Sequence, residues 1–341
     1  MTEPGLRYLS ASDLGVNNHI CMLPCGGLSP KQQRLWSASD LDVYVSYISQ
    51  GKKTDQLFGG FIFNGICTRD DYYIYPLYVG FGKPSTKKDW SIWIEQLFRK
   101  DTNLSALHET VRAHQRANVD VWVSIPYPHP FQTSFGKVRG RTLNFQTEAD
   151  RFEAVRWWIL QFLKRWDKEK KHLNKLNFKG FLWQREAIDP HDEPLVKETN
   201  RLLKTKQVLS MWLPNFGSYG VINWRKMGFD LAAVNANFYG NTSYDYQWVR
   251  HAATFAQTFH TGMQILYGKG LIYNETHLLD YLNLGLPSQL NYMHQSVLIY
   301  QFPNQTLNDI FKENVQYYMH LYLFTKGLYK GVAYSKIPYT I

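Results

Sequence analysis

Eight short apolar runs punctuate the chain, and most of them turn polar or meet Gly, Pro or Asn at their C-terminal ends. His19 to Cys25 stops at Gly26-Gly27, Leu57 to Asn64 ends in an amide, and Val119 to Ile125 runs into Pro126-Tyr127-Pro128-His129-Pro130. Phe178 to Glu186 finishes on an arginine and a carboxylate, Val208 to Leu213 on Pro214-Asn215, and Asp230 to Tyr239 passes through Asn235 and Asn237. Gly262 to Gly268 and Ser296 to Gln301 complete the set. Apolar runs without polar alternation are expected of strands buried on both faces, as in a parallel sheet.

Between these runs the period changes. Thr147 to Lys168 places Phe152, Val155, Trp158, Ile159, Phe162 and Leu163 on one helical face. Asp89 reads as the cap of a helix through Trp90, Trp93, Ile94 and Leu97, and Leu104 to Gln115 repeats the period. Helices are also expected over Ser37 to Ser49, Leu195 to Leu203, Asp245 to Phe259, Glu275 to Leu284 and, as one long closing helix, Thr306 to Lys326. Tyr72 to Phe81 reads as an aromatic excursion at the top of the domain, and Phe131 to Phe145 is a loop long enough to be functional. Strand and helix alternate to a count of eight with no linker and no fixed-period repeat. The expected fold is therefore α/β, a (β/α)8 TIM barrel forming a single domain over 1–341, its core at about 19–329. An open doubly wound sheet is the competitor, but no glycine-rich phosphate loop follows the first run.

Composition adjusts this picture in a few places. At 44% hydrophobic the chain can bury a large core. Its 16% aromatic content, with 11 Trp and 23 Tyr, exceeds the usual needs of packing and suits stacking on sugars or bases. The formal charge of +10 favours an anionic partner or surface, although Lys164-Arg165 and Lys168 to Lys171 lie on a helical segment where a solvated face is the simpler reading. No nucleic-acid motif accompanies the charge, so no specific nucleic-acid partner is expected. Cys21, Cys25 and Cys67 lack the second pair that a zinc site needs, and neither metal nor cofactor is expected. Neither an export signal nor an apolar window of membrane-spanning length is evident, which reads as a soluble chain, cytoplasmic as given or secreted if a signal was removed.

In a barrel of this kind the site gathers at the C-terminal ends of the strands. Those ends collect Asn64, Tyr127, His129, Trp183, Arg185, Glu186, Trp212, Asn215, Asn235, Asn237, Tyr239, Tyr267, Tyr300 and Gln301. Rings that stack on pyranose faces and amides that bridge hydroxyls suit a carbohydrate polymer. Trp183 and Trp212 serve equally as packing, Tyr127 and His129 as shape in a proline-rich turn, and Asn235 and Asn237 as partners for each other and the backbone. Glu186 is the candidate catalytic residue, because a carboxylate at the end of a buried run is costly unless paired. Its neighbour Arg185 should point to the other face.

Further landmarks recur along the chain: Trp36 with Tyr44-Val-Ser-Tyr47, Gly51-Lys-Lys-Thr-Asp55, Leu57-Phe58, Ile125-Pro-Tyr-Pro128, Phe135-Gly136, Gly180-Phe-Leu-Trp183 with Glu186, and Trp224 followed by Gly228-Phe-Asp230. Asn237-Phe-Tyr239, Gly262-Met263, Tyr281-Leu-Asn-Leu-Gly285 and Phe324-Thr-Lys-Gly327 continue the series. In this order they resemble the bacterial family known as domain of unknown function 4855, from about His19 to Tyr329. The resemblance implies a TIM barrel similar to glycoside hydrolases, found mostly in Gram-positive bacteria and often on exported proteins. It also implies acidic residues where this chain has Gly59, Leu266 and Gly268. Glycosidases of this architecture typically carry the acid/base after the fourth strand, where Glu186 stands, and the nucleophile after the seventh, where this chain has none.

A two-carboxylate glycosidase holds its carboxyls about 5 Å apart for retention or about 6.5–9.5 Å for inversion. The partners on offer for Glu186 are Asp189, Asp192 and Asp245, with Tyr267 as a nucleophile of the sialidase type. Two readings follow. The first is a glycoside hydrolase or lyase on a polysaccharide, anionic by the charge balance, with Glu186 as general acid/base. The second is a barrel that has lost catalysis and binds a glycan or a protein.

Overall fold

The computed structural model describes residues 6–27, 35–69, 71–238, 245–268, 276–303 and 305–341, with the side chain of Tyr78 also outside the description. Eight parallel strands close into a barrel: β1 Ile20–Cys25, β2 Gly60–Gly65, β3 Val119–Ile125, β4 Leu176–Trp183, β5 Leu209–Trp212, β6 Leu231–Val234, β7 Gly262–Leu266 and β8 Leu298–Gln301. Each pairs with its sequence neighbours, and β1 closes the ring on β8. The (β/α)8 barrel expected from the apolar runs is the fold.

Helices coat the outside: α1 Ala38–Val45, α2 Lys87–Leu97, α3 Asn103–Ala113, α4 Glu148–Glu169, α5 Glu193–Thr205, α6 Gln247–Phe259, α7 His277–Leu284, α8 Tyr292–Gln295, α9 Leu307–Glu313 and α10 Val315–Thr325. The chain departs from its expected pattern in four places. The apolar stretch from Ser37 is helical only to Val45, after which Ser46–Ser49 pairs with Lys52–Gln56 as a hairpin. Thr86, not Asp89, caps α2; Asp89 is the third helical residue and completes the capping box. The β5–β6 connection holds only a 3-10 turn, Val221–Asn223. The closing helix breaks at Asn314, whose side chain accepts the Tyr317 N–H and starts α10 as a separate helix. The start expected at Glu275 and the strand end at Tyr239 lie outside the described residues.

One irregularity decides which strand-end side chains face the barrel axis. In an unbroken strand, residues three apart point to opposite faces. Phe178 and Phe181 of β4 nonetheless both pack on Phe162 of α4, with ring centroids 5.0 and 5.3 Å away. The pairing of β4 with β3 slips between Phe178 and Gly180, so Lys179 is the extra residue of a bulge. Lys179 turns its amine to the Gly15 carbonyl at 2.8 Å and to Asp120 at 3.7 Å. Above the bulge Phe181, Trp183 and Arg185 face the helices, while Gly180, Leu182, Gln184 and Glu186 share the interior face. A one-residue slip inverts every later side chain, so without the bulge Arg185 would take the inward position.

Gly180 makes the bulge possible, because a Cβ there would lie 1.8 Å from the Leu209 carbonyl oxygen of β5. The backbones of β4 and β5 approach too closely for any side chain. Gly180→Ala is expected to lower the unfolding free energy by about 1–3 kcal/mol or more, read by urea denaturation; wild-type stability would show that the strand pair can part without cost.

Candidate active site

Beyond Trp183 the chain leaves the sheet but stays anchored. The Trp212 indole N–H donates to the Arg185 carbonyl at 2.7 Å, and the Ser218 hydroxyl donates to the Glu186 carbonyl at 3.1 Å. These bonds replace the ladder for the two residues that matter most. Below them Gln184, 4% exposed, sets its amide nitrogen among three oxygens: Gly65 O at 2.6 Å, Asn64 Oδ1 at 2.9 Å and Ser124 Oγ at 3.0 Å. Gln184 thereby ties the C-terminal ends of β2, β3 and β4 together inside the barrel.

Glu186 sits over this floor in an open cleft of about 600 Å³. One wall is Tyr75, Pro76 and Leu77 from the excursion after β2; another is Tyr127, His129, Pro130 and Phe131 from the proline-rich turn after β3. Gln184, Arg185, Asp189, His191, Asp192 and Asn215 complete the lining with Arg151. Asn215 Nδ2 donates to Glu186 Oε2 at 2.9 Å and the Tyr75 hydroxyl to Oε1 at 3.4 Å. Burial raises the carboxyl above its ordinary 4.5, and these two hydrogen bonds only partly oppose it. Among the described residues no positive charge compensates it, although arginines lie nearby.

Those arginines are committed elsewhere. Arg185 pairs with Asp189 at 2.8 Å and with Asp192. Arg151, 4% exposed, reaches Asp192 at 2.6 Å, the Tyr127 hydroxyl at 3.1 Å and the Pro128 carbonyl at 2.9 Å. Tyr127 donates to the other Asp192 oxygen at 2.8 Å, and burial pushes its phenol up. Asp192, 1% exposed, is thus a buried carboxylate satisfied by two guanidiniums and a phenol. Asp189 accepts the His191 and Asp192 backbone N–H groups and is held below the usual carboxylate range; after burial, which opposes this, the Arg185 charge is the largest cause. Asp189 thus organises the turn that leads into α5. Asp245 is exposed and accepts the Gln247 N–H at the start of α6, outside the cleft lining.

The cleft therefore brings together Tyr127, His129, Arg185, Glu186 and Asn215 of the strand-end residues. The others lie elsewhere. Trp212 is closed to solvent and stacks on Phe229, with centroids 5.4 Å apart. Tyr300, equally closed, hydrogen-bonds His19 at 2.7 Å. Trp183 is buried edge-on to Tyr127. Asn64 is buried beneath Gln184, and Gln301 donates to Gln264 within the barrel. Asn235 is buried and accepts the Asn237 backbone N–H, while Asn237 is exposed with φ 54°. Tyr267 is buried against Tyr317 at 5.8 Å, and Tyr239 lies outside the described residues. The walls come from the two segments the sequence marks as an excursion and a long loop, Pro76 and Leu77 from the 3-10 helix Pro76–Phe81 and Phe131 from the loop, and no periodic signal singles out the individual residues. Gln184 was accessible in principle, two residues before Glu186 on the same face.

The positions where the family resemblance implies acids also take on structure. Gly59 precedes β2, at the end of the barrel opposite Glu186, and a Cβ there would lie 2.5 Å from Asn18 O. Gly268, just past β7, would bring a Cβ to 1.7 Å from Pro303 O. Leu266 is buried beside Gln301 in the β7–β8 register.

Because the folded state raises the Glu186 pKa, its contribution to stability is full below the ordinary 4.5 and is lost as pH rises through the folded value. Glu186→Gln, neutral at every pH, is expected to gain thermal stability over wild type as pH rises above 4.5. Melting both proteins across pH 4–8 checks this (a range of about four units); a difference that stays flat, or reverses sign, contradicts a buried, raised carboxyl.

Among solved structures the chain is similar to a GH113 β-1,4-mannanase complex, at 11% identity and TM-score 0.40 over 77% of this chain and 88% of that one. It is also similar to a type I 3-dehydroquinate dehydratase from Clostridium difficile, at 10% identity and TM-score 0.36 over 89% and 93%. A Group IV chitinase of Ostrinia furnacalis aligns at 11% identity and TM-score 0.36 over 72% and 65%. No curated protein sequence matches the chain. The family model for the domain of unknown function DUF4855 matches residues 23–326 of the 341, and the chain belongs to that family.

Proposed function

We propose that the cleft above β4 is a carbohydrate site and that the chain is a glycoside-hydrolase-like barrel with Glu186 as general acid/base. The observation that carries this reading is one half-buried carboxyl, raised in pKa, open to a cleft of about 600 Å³ and held by a donor on each oxygen. A general acid for glycosidic oxygen must hold its proton near neutral pH and present it in a fixed direction. Burial moves the pKa in the direction the first requirement needs, and Asn215 and Tyr75 supply the second. Exposed Phe131 and Leu77 on the walls give a sugar ring apolar surface to lie against.

A second reading has its own support. Asp189 and Asp192, the other carboxylates lining the cleft, are both ion-paired, so neither is at hand to attack carbon or activate water. A barrel that binds glycan without turning it over fits that arrangement.

Wild type and Glu186→Gln assayed on a panel of bacterial exopolysaccharides and plant polysaccharides separate the two. The hydrolase reading expects turnover in wild type, falling with rising pH as Glu186 loses its proton, and a loss of about 10²–10⁴-fold in Glu186→Gln with binding retained. Binding without turnover in either protein selects the second reading. Equal turnover in both proteins removes Glu186 from the chemistry.

A further inference from the structure

The floor of the cleft is rich in acceptors, and this bears on which sugars it takes. Gln184 Oε1 and Asn215 Oδ1 are both buried, and neither has a hydrogen-bond partner among the described residues. The orientation of the Gln184 amide is fixed by its surroundings, because its nitrogen faces the Gly65 carbonyl, which can only accept. The Asn215 nitrogen is spent on Glu186, which leaves its oxygen toward other donors. A buried acceptor without a donor is costly, and a ligand that supplies one recovers that cost. The cations that could have favoured an anion are not available: Arg151 and Arg185 are matched by Asp189 and Asp192. The net charge of +10 includes Lys164 and Lys168 on α4, in a groove on the outer helical coat and not in this cleft.

Resting on the carbohydrate reading of the cleft, we propose that the subsite beside Glu186 takes a neutral, hydroxyl-bearing pyranose and discriminates against a uronate. Both oxygens are closed to solvent in this structure, so the ligand shifts the two side chains to donate hydroxyl hydrogens to Gln184 Oε1 and Asn215 Oδ1, and a C–H face of the glycan lies on Phe131. That ring is 73% exposed and is backed by the His129 imidazole at 4.6 Å. A C6 carboxylate is an acceptor only. Placed here it meets two acceptor oxygens and, once Glu186 ionises, a like charge. This replaces the anionic polymer suggested by the overall charge.

The test is calorimetric titration of Glu186→Gln protein, which blocks turnover and removes the like charge. The probes are matched pairs: β-1,4-glucohexaose against its C6-oxidised glucuronate, and β-1,4-mannohexaose against its mannuronate. The neutral member of at least one pair is expected to bind tenfold or more tightly than its uronate, a difference of about 1.4 kcal/mol. Adding Asn215→Ala or Phe131→Ala is expected to weaken that neutral binding about tenfold with the fold intact by circular dichroism. Uronates binding as well as or better than their neutral partners overturn this inference and leave the carbohydrate reading standing. Neutral binding untouched by both added substitutions also overturns it. Binding of neither member of either pair overturns the inference and the carbohydrate reading together.

Discussion

Everything distinctive about the cleft depends on one extra residue in β4. The bulge at Lys179 sits near the bottom of the strand, yet it sets the face of every residue above it. It turns Gln184 and Glu186 to the barrel axis and sends Trp183 and Arg185 toward the helices. Gly180 permits it, since the Leu209 carbonyl occupies the space a side chain would need. The constraint is steric, local and at some distance from the site it serves. A functional arrangement at the top of the barrel is thereby fixed by backbone packing lower in the sheet.

The bulge also divides the ionisable groups that line the cleft into two sets. On the outward face Asp192 gathers Arg151, Arg185 and Tyr127 into a closed network between β3, β4, α4 and α5. On the inward face Glu186 has no cation among the described residues and is held by neutral donors. Had Arg185 shared its side, the guanidinium would have held the carboxyl down as it does Asp189. Keeping the two apart leaves the Glu186 pKa raised, at a cost in stability whenever it is ionised. The paired charges next door also position the start of α5 and the proline-rich turn, so the cleft walls are built on a satisfied polar network and not on exposed loops alone.

Much of the fold was legible in the sequence because buried parallel strands write themselves as apolar runs, and all eight runs proved to be barrel strands. Glu186 stood out for the same reason, as a charge closing an apolar run. What was not legible lay in the departures from period. Simple alternation along a strand cannot reveal the bulge, which shows only in Phe178 and Phe181, three apart, both packing on Phe162. Without a way to assign faces, Trp212 and Tyr300 seemed as good as Asn215, although each is packed away from solvent. The hairpin after α1 and the break at Asn314 turn on short-range backbone bonds that apolar patterning does not encode. Phe131 and Leu77, which wall the cleft, sit on a loop and on a short 3-10 helix whose positions come from tertiary contacts.

The central claim is that the bulge delivers a carboxyl of raised pKa to a glycan cleft, and a crystal structure of Glu186→Gln protein bound to a neutral hexasaccharide tests it most directly. The account predicts an interglycosidic oxygen within hydrogen-bond reach of the residue 186 side chain, and sugar hydroxyls on Gln184 Oε1 and Asn215 Oδ1. An oligosaccharide ordered elsewhere on the barrel, with the side chain at 186 turned away from it, would contradict the account.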